Sequence, residues 1–393
     1  MPALVYGRVG RRIAYYRRLR RITQQQLADA ACVALGTIRK IERGERGASD
    51  ATLEAIAAAL GVDPTQLRTD RGPAHTPVHD ALPVLSAVIA AYDVPDEGPV
   101  RPLNELCTAV REAAHWRLSA QYTRIAHKLP GLLTELARAY HATLPAERAE
   151  VAGLLVRAYR SADAVAYKFG ARDLSARLIE LMRWAVPEAG EPLLTASVAY
   201  VRTETFFAAH AHTAGLRALE QALDAAPAPT TVPGIAARGA LHMRAAVIAG
   251  RARDASAAVT HLDEARAFAD QVPEDVYHGT AFGPDSLRVH EVSVAVSLGD
   301  GHLGRALDAA GAWKPPTELP AERRSGFYIE LARAQLWSGM ADDAFESLKV
   351  ARRIAPQHTR EHPWVREDAA TLRRLKRADS GSLTNFAEWC AAT

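Results

Sequence analysis

Residues 23–44, TQQQLADAACVALGTIRKIERG, constrain the fold of this chain more than any other segment. Thr23 and Gln26 stand three residues apart, which is the spacing of a helix capping box. Apolar residues recur at helical spacing on both sides of a short break: Leu27, Ala28, Ala31, Ile38 and Ile41. Gly44 stands where a glycine ends a helix. The segment therefore predicts two short helices joined by a tight turn, with a cationic face on the second helix.

The flanking sequence predicts three more short helices. Residues 7–20 carry apolar side chains at helical spacing, with arginines on the other faces. Ser49 is a helix cap, and the helix that follows it ends at Gly61. Asp63 and Pro64 then begin a fifth helix that reaches Leu67. Five short helices in so few residues predict a compact all-α bundle.

Positive charge is concentrated at the N-terminus. Residues 1–47 carry eleven arginines and lysines against three acids, a net charge of +8, whereas the whole chain carries +3. The remaining residues therefore sum to −5. Arginine outnumbers lysine throughout, but a coding bias toward arginine does not explain why acids are scarce in this segment alone. A basic head on a mildly acidic body is typical of a chain that binds a polyanion.

Three motifs run through residues 23–62: T-Q-x-x-L-A, V-x-x-x-T-I-x-x-I-E-x-G and S-x-x-T-L-x-x-I-A-x-A-L-G-V. They resemble the lambda-repressor-like (XRE) helix-turn-helix domains, and the resemblance covers about residues 8–68. It implies that the second helix of the motif lies in the major groove of double-stranded DNA. Carried over by position, it implies DNA contacts from Arg12, Gln24, Leu35, Gly36, Thr37, Arg39, Lys40 and Arg43.

The chain departs from this family at the turn and at the start of the recognition helix. Cys32 replaces the usual glycine of the turn, and Ala34 replaces the usual serine cap. Loss of the cap costs about 1 kcal/mol of local stability. Leu35 and Gly36 bring no hydrogen-bond donor to the base edges, so we expect direct reading of bases to depend on Thr37 and Arg39. DNA shape and the spacing of two half-sites then supply much of the selectivity.

The rest of the chain predicts helices with no strand alternation. We expect a domain at residues 1–70, a linker at 71–80 and a helical-repeat domain at 81–393. The unit that contains Tyr328, Ala332, Gly339 and Ala344 resembles the tetratricopeptide pattern. The predicted anchor alanines of successive repeats are Ala176, Ala218, Ala258, Ala306 and Ala344. Their spacing exceeds the usual period of about 34 residues, so the predicted fold is all-α, a five-helix head followed by an α-solenoid with long loops.

A helix-turn-helix head on a tetratricopeptide-like body resembles the quorum-sensing regulators of Gram-positive bacteria, in which the solenoid binds a signal peptide. Those sensors often hold the peptide backbone with asparagines, whereas Asn104 and Asn385 are the only asparagines here. A small-molecule effector therefore stays open beside a peptide. The concave positions of the repeats give these candidate ligand contacts: Lys168, Phe169, Tyr200, Phe207, His210, Met243, Arg251, Glu291, Arg333 and Trp337. Each of them could equally be a core or a solvent residue.

The sequence carries no motif typical of disulfide-rich, zinc-binding, membrane-spanning or common enzymatic proteins. The three cysteines are far apart, which suits a reducing compartment and provides neither a disulfide framework nor a zinc site. No apolar run approaches the roughly 20 residues that span a bilayer, and no signal peptide precedes the head. Phosphate-binding loops, dinucleotide fingerprints and hydrolase motifs are absent. We expect a cytoplasmic protein that is not an enzyme, with no cofactor, no metal and no membrane partner.

Together the two resemblances imply a sequence-specific transcriptional regulator. We expect a homodimer that binds an operator in double-stranded DNA and is switched by a small-molecule or peptide effector in the solenoid. The alternative is a tetratricopeptide docking scaffold, whose main role is to bind a protein partner and for which DNA contact is secondary.

Overall fold

The computed structural model describes residues 2–20, 22–62, 64, 67, 76–311, 313–376 and 381–392, with only the backbone of residues 2–8, 19, 50 and 300. The chain forms two compact units that divide between residues 75 and 76. Twenty α-helices and one two-stranded sheet lie within the described residues, so the fold is all-α. In the same part of the chain, no helix combines the length and apolarity that crossing a membrane requires.

The first unit is a bundle of short helices. Its helices are α1 (Pro2–Leu19), α2 (Gln24–Ala30), α3 (Leu35–Glu42) and α4 (Asp50–Leu60). One apolar core holds them together, and its buried members include Ile13, Leu27, Ile38, Ile41, Ile56 and Leu60. Helix α1 begins five residues earlier than the apolar pattern predicts. The predicted fifth helix covers residues 63–67, of which only Pro64 and the buried Leu67 are among the described residues.

The second unit begins with helix α5 and contains all the remaining elements. Its first helices are α5 (Pro77–Ala90), α6 (Leu103–Leu118), α7 (Tyr122–Ala142), α8 (Ala149–Lys168), α9 (Arg172–Ala189), α10 (Pro192–Ala208), α11 (His212–Ala225), α12 (Val232–Arg251) and α13 (Ala255–Ala269). A hairpin of strands β1 (Asp275–Tyr277) and β2 (Thr280–Phe282) follows. The last helices are α14 (Pro284–Leu298), α15 (Leu303–Gly311), α16 (Ala321–Trp337), α17 (Ala341–Ile354), α18 (Pro356–Glu361), α19 (Pro363–Leu375) and α20 (Gly381–Trp389). Helix α5 starts inside the stretch expected as linker, because Thr76 and Pro77 form a helix start there.

Consecutive helices of this unit pack as pairs, most extensively α8 with α9, α12 with α13 and α16 with α17. Four pairs share one turn, in which a residue with positive φ is followed five positions later by a small buried residue. These residues are Gly170 and Ser175, His210 and Gly215, Arg253 and Ala258, and Gly339 and Ala344. Small residues at this point let the two helices of a pair approach closely.

The predicted repeat anchors are correct at three positions and shifted at two. Ala258, Ala306 and Ala344 are at most 1% exposed, as tight helix contacts require. Ala176 and Ala218 are only half-buried, because the closely packed residues in those repeats lie one and three positions earlier. In the repeat of Ala218 the sequence hid the register because a non-glycine residue, His210, adopts the left-handed turn conformation with φ 54°.

The β-hairpin was not expected from the sequence. Its antiparallel register pairs Asp275 with Phe282 and Tyr277 with Thr280. His278 and Gly279 form the turn, and both have positive φ, 46° and 78°. Each strand has only three residues, which is too short for a visible alternation of apolar and polar side chains.

Candidate nucleic-acid interface and ligand cavity

Helices α2 and α3 are joined by a turn whose geometry follows from its sequence. The backbone N–H of Gln26 donates to Thr23 Oγ1 at 3.1 Å, and the N–H of Thr23 donates to Gln26 Oε1 at 2.7 Å. This is the predicted capping box of α2. Cys32 occupies the left-handed region with φ 50°, where a glycine avoids the Cβ penalty. Ala34 begins α3 with no side-chain cap.

Helix α3 is fixed against the other helices by its buried face and by Glu42. The side chain of Glu42 is 6% exposed and accepts from Arg17 of α1 at 2.7 and 3.1 Å. It also accepts from Gln24 Nε2 of α2 at 2.6 Å. Gly10 lies so close to the carbonyl of Ile41 that a Cβ at position 10 would collide with it. Glu42 therefore ties three helices together, and Gln24 supports α3 through this hydrogen bond.

The opposite face of α3 is open and cationic. Gly36, Arg39 and Lys40 are exposed, and a Cβ at Gly36 would meet no atom within 4 Å. Arg43, just after the helix, is also exposed and pairs with Glu45 at 3.0 Å. Half-exposed positions are Leu35 and Thr37 on α3, Gln24 on α2 and Arg12 on α1. The eight residues expected to contact DNA all lie in this first unit, and their contacts with DNA stay a prediction.

The second unit encloses a cavity of about 270 Å³. Every second helix from α6 to α16 contributes to its wall, together with the hairpin turn and α18. Residues at helical spacing on most of these helices share the inner face, as Tyr200, Glu204 and Phe207 do on α10. Four of the ten predicted ligand contacts line the cavity: Lys168, Tyr200, Phe207 and Arg251.

Three of the other predicted contacts belong to the core or to a turn. Phe169 is 8% exposed and packs edge-on against Tyr122 with ring centroids 5.8 Å apart. Met243 is fully buried in the main core of the unit. His210 is exposed in the turn between α10 and α11. None of these three lines the cavity, because each lies on another face of its helix or beyond the helix end.

The remaining three form contacts outside the cavity. Glu291 accepts from Arg266 at 2.5 Å. Arg333 is 7% exposed and pairs with Asp368 at 3.0 Å. Its guanidinium also lies 5.2 Å from the ring centroid of Trp337, which is 48% exposed. These contacts stabilise the helix packing around α14, α16 and α19.

An ion pair and two buried acids lie on the polar wall of the cavity. Lys168 Nζ lies 2.8 Å from Glu322 Oε1. Burial opposes ionisation of Glu322, but Lys168, His358 and Arg117 together outweigh it and hold the pKa of Glu322 well below its ordinary value. Asp163 is 1% exposed, and burial, followed by the charge of Glu204, raises the pKa of Asp163 well above its ordinary value. Burial likewise raises the pKa of Glu204, so this pair of carboxyls favours a state in which Asp163 is protonated.

Sequence reasoning missed most of the charged wall. Arg117, Arg160, Arg244 and Arg323 line the cavity and were not among the expected contacts. The signal for Arg160 was present, since it interrupts the apolar stretch of α8. For the others, only the packing of distant helices shows that their side chains point to one place.

Comparison with known proteins gives a family for the first unit. Residues 13–67 match the helix-turn-helix family HTH_3. No curated protein matches the chain.

Three solved structures are similar to this chain, each at low sequence identity and with a low TM-score. The crystal structure of Bacillus thuringiensis PlcR in complex with the peptide PapR7 and DNA is 13% identical, with a TM-score of 0.31, over 67% of this chain and 95% of that one. A PrgX mutant is 9% identical, with a TM-score of 0.20, over 97% and 99%. Apo ComR from S. thermophilus is 15% identical, with a TM-score of 0.17, over 95% and 100%.

The family match coincides with the capped α2, the tight turn and the exposed, cationic α3. The N-terminal part of this chain, residues 13–67, is therefore a DNA-binding helix-turn-helix domain of the XRE type.

Proposed function

We propose that the chain is a transcriptional regulator that binds an operator through α3 and is modulated by an effector in the cavity of its second unit. The observation that carries this proposal is the open face of α3. Its cations are exposed, whereas its one acid, Glu42, is buried and paired with Arg17. The surface offered to a nucleic acid therefore carries a net positive charge, with Glu45 compensating only Arg43.

The proposed DNA contacts divide by chemistry. Arg39 and Thr37 reach base edges, and Gly36 leaves room for the edge of the groove to approach the backbone. Lys40 and Arg43 hold phosphates. A homodimer places two copies of α3 in half-sites about 34 Å apart, so we propose a two-fold symmetric operator.

Footprinting and an electrophoretic shift on the DNA upstream of the chain's own gene test this function. We expect protection of a symmetric site, with an affinity that falls steeply as salt rises. Arg39→Ala weakens specific binding by about 1–3 kcal/mol, because it removes a contact to a base. Arg217→Ala, which removes an exposed arginine on α11, is the matched control and leaves binding unchanged. Equal binding by both variants would exclude α3 as the reading helix.

A further inference from the structure

The cavity of the second unit carries more positive than negative side chains. Six cations line it within the described part of the chain: Arg117, Arg160, Lys168, Arg244, Arg251 and Arg323. Four acids line it: Asp163, Glu204, Glu322 and Glu330. Positive charge is therefore in excess even if every acid is ionised.

Two of the acids contribute less than a full negative charge. Asp163 accepts from Ser175 Oγ at 2.6 Å, and burial, followed by the charge of Glu204, raises its pKa well above the ordinary value. Burial raises the pKa of Glu330 to about 7, so that its carboxyl is only partly ionised at neutral pH. The excess of positive charge in the cavity is thus larger than the residue count gives.

Three arginines of the cavity form their hydrogen bonds with neutral groups only. Arg117 donates to the carbonyl of Gly279 at 2.8 Å, and Arg160 donates to the carbonyl of His278 at 2.6 Å. Arg323 lies 2.7 Å from His290 Nε2. Arg117 is 9% exposed, and its Nε has no hydrogen-bond partner among the described residues. The charges of Glu204 and Glu322 offset part of the cost of burying Arg117, but none of the three arginines forms an ion pair with an acid among the described residues, so this arrangement favours a site for an anion.

The hairpin turn holds two of these guanidinium groups in place without neutralising them. A Cβ at Gly279 would lie 3.0 Å from both Arg117 and Arg160, so glycine permits the close approach of the turn. Arg160 also donates to Thr280 Oγ1 at 2.6 Å. The turn therefore orients both groups against one wall of the cavity.

Another wall is aromatic. The guanidinium of Arg244 lies 4.8 Å from the ring centroid of Tyr200 and 4.7 Å from that of Phe207. Arg251 lies 5.5 Å from the Phe207 centroid. These rings offer a surface for an apolar or flat part of a ligand beside the cations.

We infer that this cavity binds a small organic anion, whose carboxylate or phosphate group is held by Arg117, Arg160 and Arg323 and whose apolar part packs against Tyr200 and Phe207. Guanidinium groups bind both kinds of anion through paired N–H donors. A volume of about 270 Å³ suits a small molecule. The inference rests on the proposed function in taking this cavity as the effector site.

Isothermal titration calorimetry of the full chain tests the inference without DNA. Phenyl phosphate and phenylacetate carry the two candidate anions, and phenylacetamide is the neutral match. We expect at least one of the two anions to bind about tenfold or more tightly than the amide, because only the anion forms charge-assisted bonds. Failure of both anions to bind, or equal binding of the amide, overturns the inference.

A pair of neighbouring variants on α16 locates the site. Arg323→Gln weakens binding of the preferred anion about tenfold or more, because it removes a charge-assisted donor. Arg324→Gln is the control, since Arg324 does not line the cavity and donates to the carbonyl of Leu319 at 3.0 Å. Equal binding by both variants overturns the assignment.

Circular dichroism checks that each variant folds. If Arg323→Gln does not fold, the comparison of anion with amide on the unaltered chain still tests whether the cavity binds an anion. An anion that binds to a chain without operator binding leaves this inference standing and the proposed function wrong; operator binding without anion binding gives the reverse.

Discussion

Glu42 connects three helices of the first unit through its hydrogen bonds. It is an acid on the helix proposed to enter a polyanion's groove, yet its carboxylate is turned inward to Arg17 and Gln24. The side chains of Arg17 and Glu42 are only 13% and 6% exposed, so the pair acts as a positioning contact and an unpaired charge in its place would be costly. The same contact removes the negative charge of Glu42 from the outer face of α3. One residue thereby orients the helix and leaves its exposed surface cationic.

Replacing Glu42 by Gln removes the counter-charge of the half-buried Arg17. We expect a loss of about 1–3 kcal/mol in the local stability of α1 to α3, because the guanidinium loses its charge-assisted hydrogen bonds. Hydrogen–deuterium exchange of peptides from residues 9–42 measures this as faster exchange. Glu45→Gln is the matched control, because Glu45 and its partner Arg43 are 51% and 62% exposed and their pair contributes about 0.5 kcal/mol or less. Equal exchange in the two variants would show that Glu42 does not hold α3.

At the scale of elements, the first unit was predictable in detail. Its caps, its apolar spacing and its glycine ends are local signals, so α2, α3 and α4 begin within a residue of the expected caps. The β-hairpin was not predictable, because bonds from distant residues such as Arg117 hold its turn. The same limit applies to the repeats, in which His210 adopts a turn conformation that sequence patterns reserve for glycine.

Helix α3 begins without a side-chain cap. Ala34 has φ −57° and ψ 134° and offers no side-chain acceptor to the first N–H groups of α3. Ala34→Ser supplies that acceptor, and we expect a gain of about 1 kcal/mol in local stability. Slower deuterium exchange in peptides that span residues 35–42 measures the gain. Ala30→Ser, at the end of α2, is the control and gives no gain, because a serine there caps nothing. A slower exchange in the control, or none in Ala34→Ser, contradicts the cap argument.

The packing of the whole second unit is needed to form the cavity. Its wall runs from Arg117 to His362, so it depends on helices more than two hundred residues apart in the chain. The repeat pattern was enough to find Lys168, Tyr200, Phe207 and Arg251, because these lie on the inner face of a regular helix pair. It could not find Arg117, which precedes the recognisable repeats, nor the turn at Gly279. Long-range packing, rather than local propensity, decides which charges meet.

His358 makes the stability of this unit depend on pH. It is 3% exposed, lies 2.7 Å from Ser325 Oγ through Nδ1 and 3.3 Å from Lys168 Nζ through Nε2. Because the ammonium of Lys168 can only donate, Nε2 accepts and Nδ1–H donates to Ser325. Burial, followed by the charge of Lys168, lowers the pKa of His358 to about 3. The folded state therefore binds fewer protons than the unfolded state between that value and the ordinary pKa of about 6.5.

Because His358 stays neutral in the folded chain, its contribution to the free energy of unfolding is fully present above pH 6.5 and is lost as the pH falls. At pH 5 protonation of this histidine in the unfolded chain lowers the free energy of unfolding by about 2 kcal/mol. This pH lies 1.5 units below the ordinary pKa, and each unit corresponds to 1.36 kcal/mol. His358→Gln does not titrate and retains a side-chain amide that can hydrogen-bond with Ser325. We therefore expect the thermal midpoint of the second unit to fall less between pH 7 and pH 5 in this variant than in the parent chain. His127→Gln is the control, because His127 is exposed on α7, and it keeps the parent's pH dependence. If His358→Gln and the parent lose stability equally on acidification, His358 is protonated in the folded chain and cannot be the acceptor for Lys168.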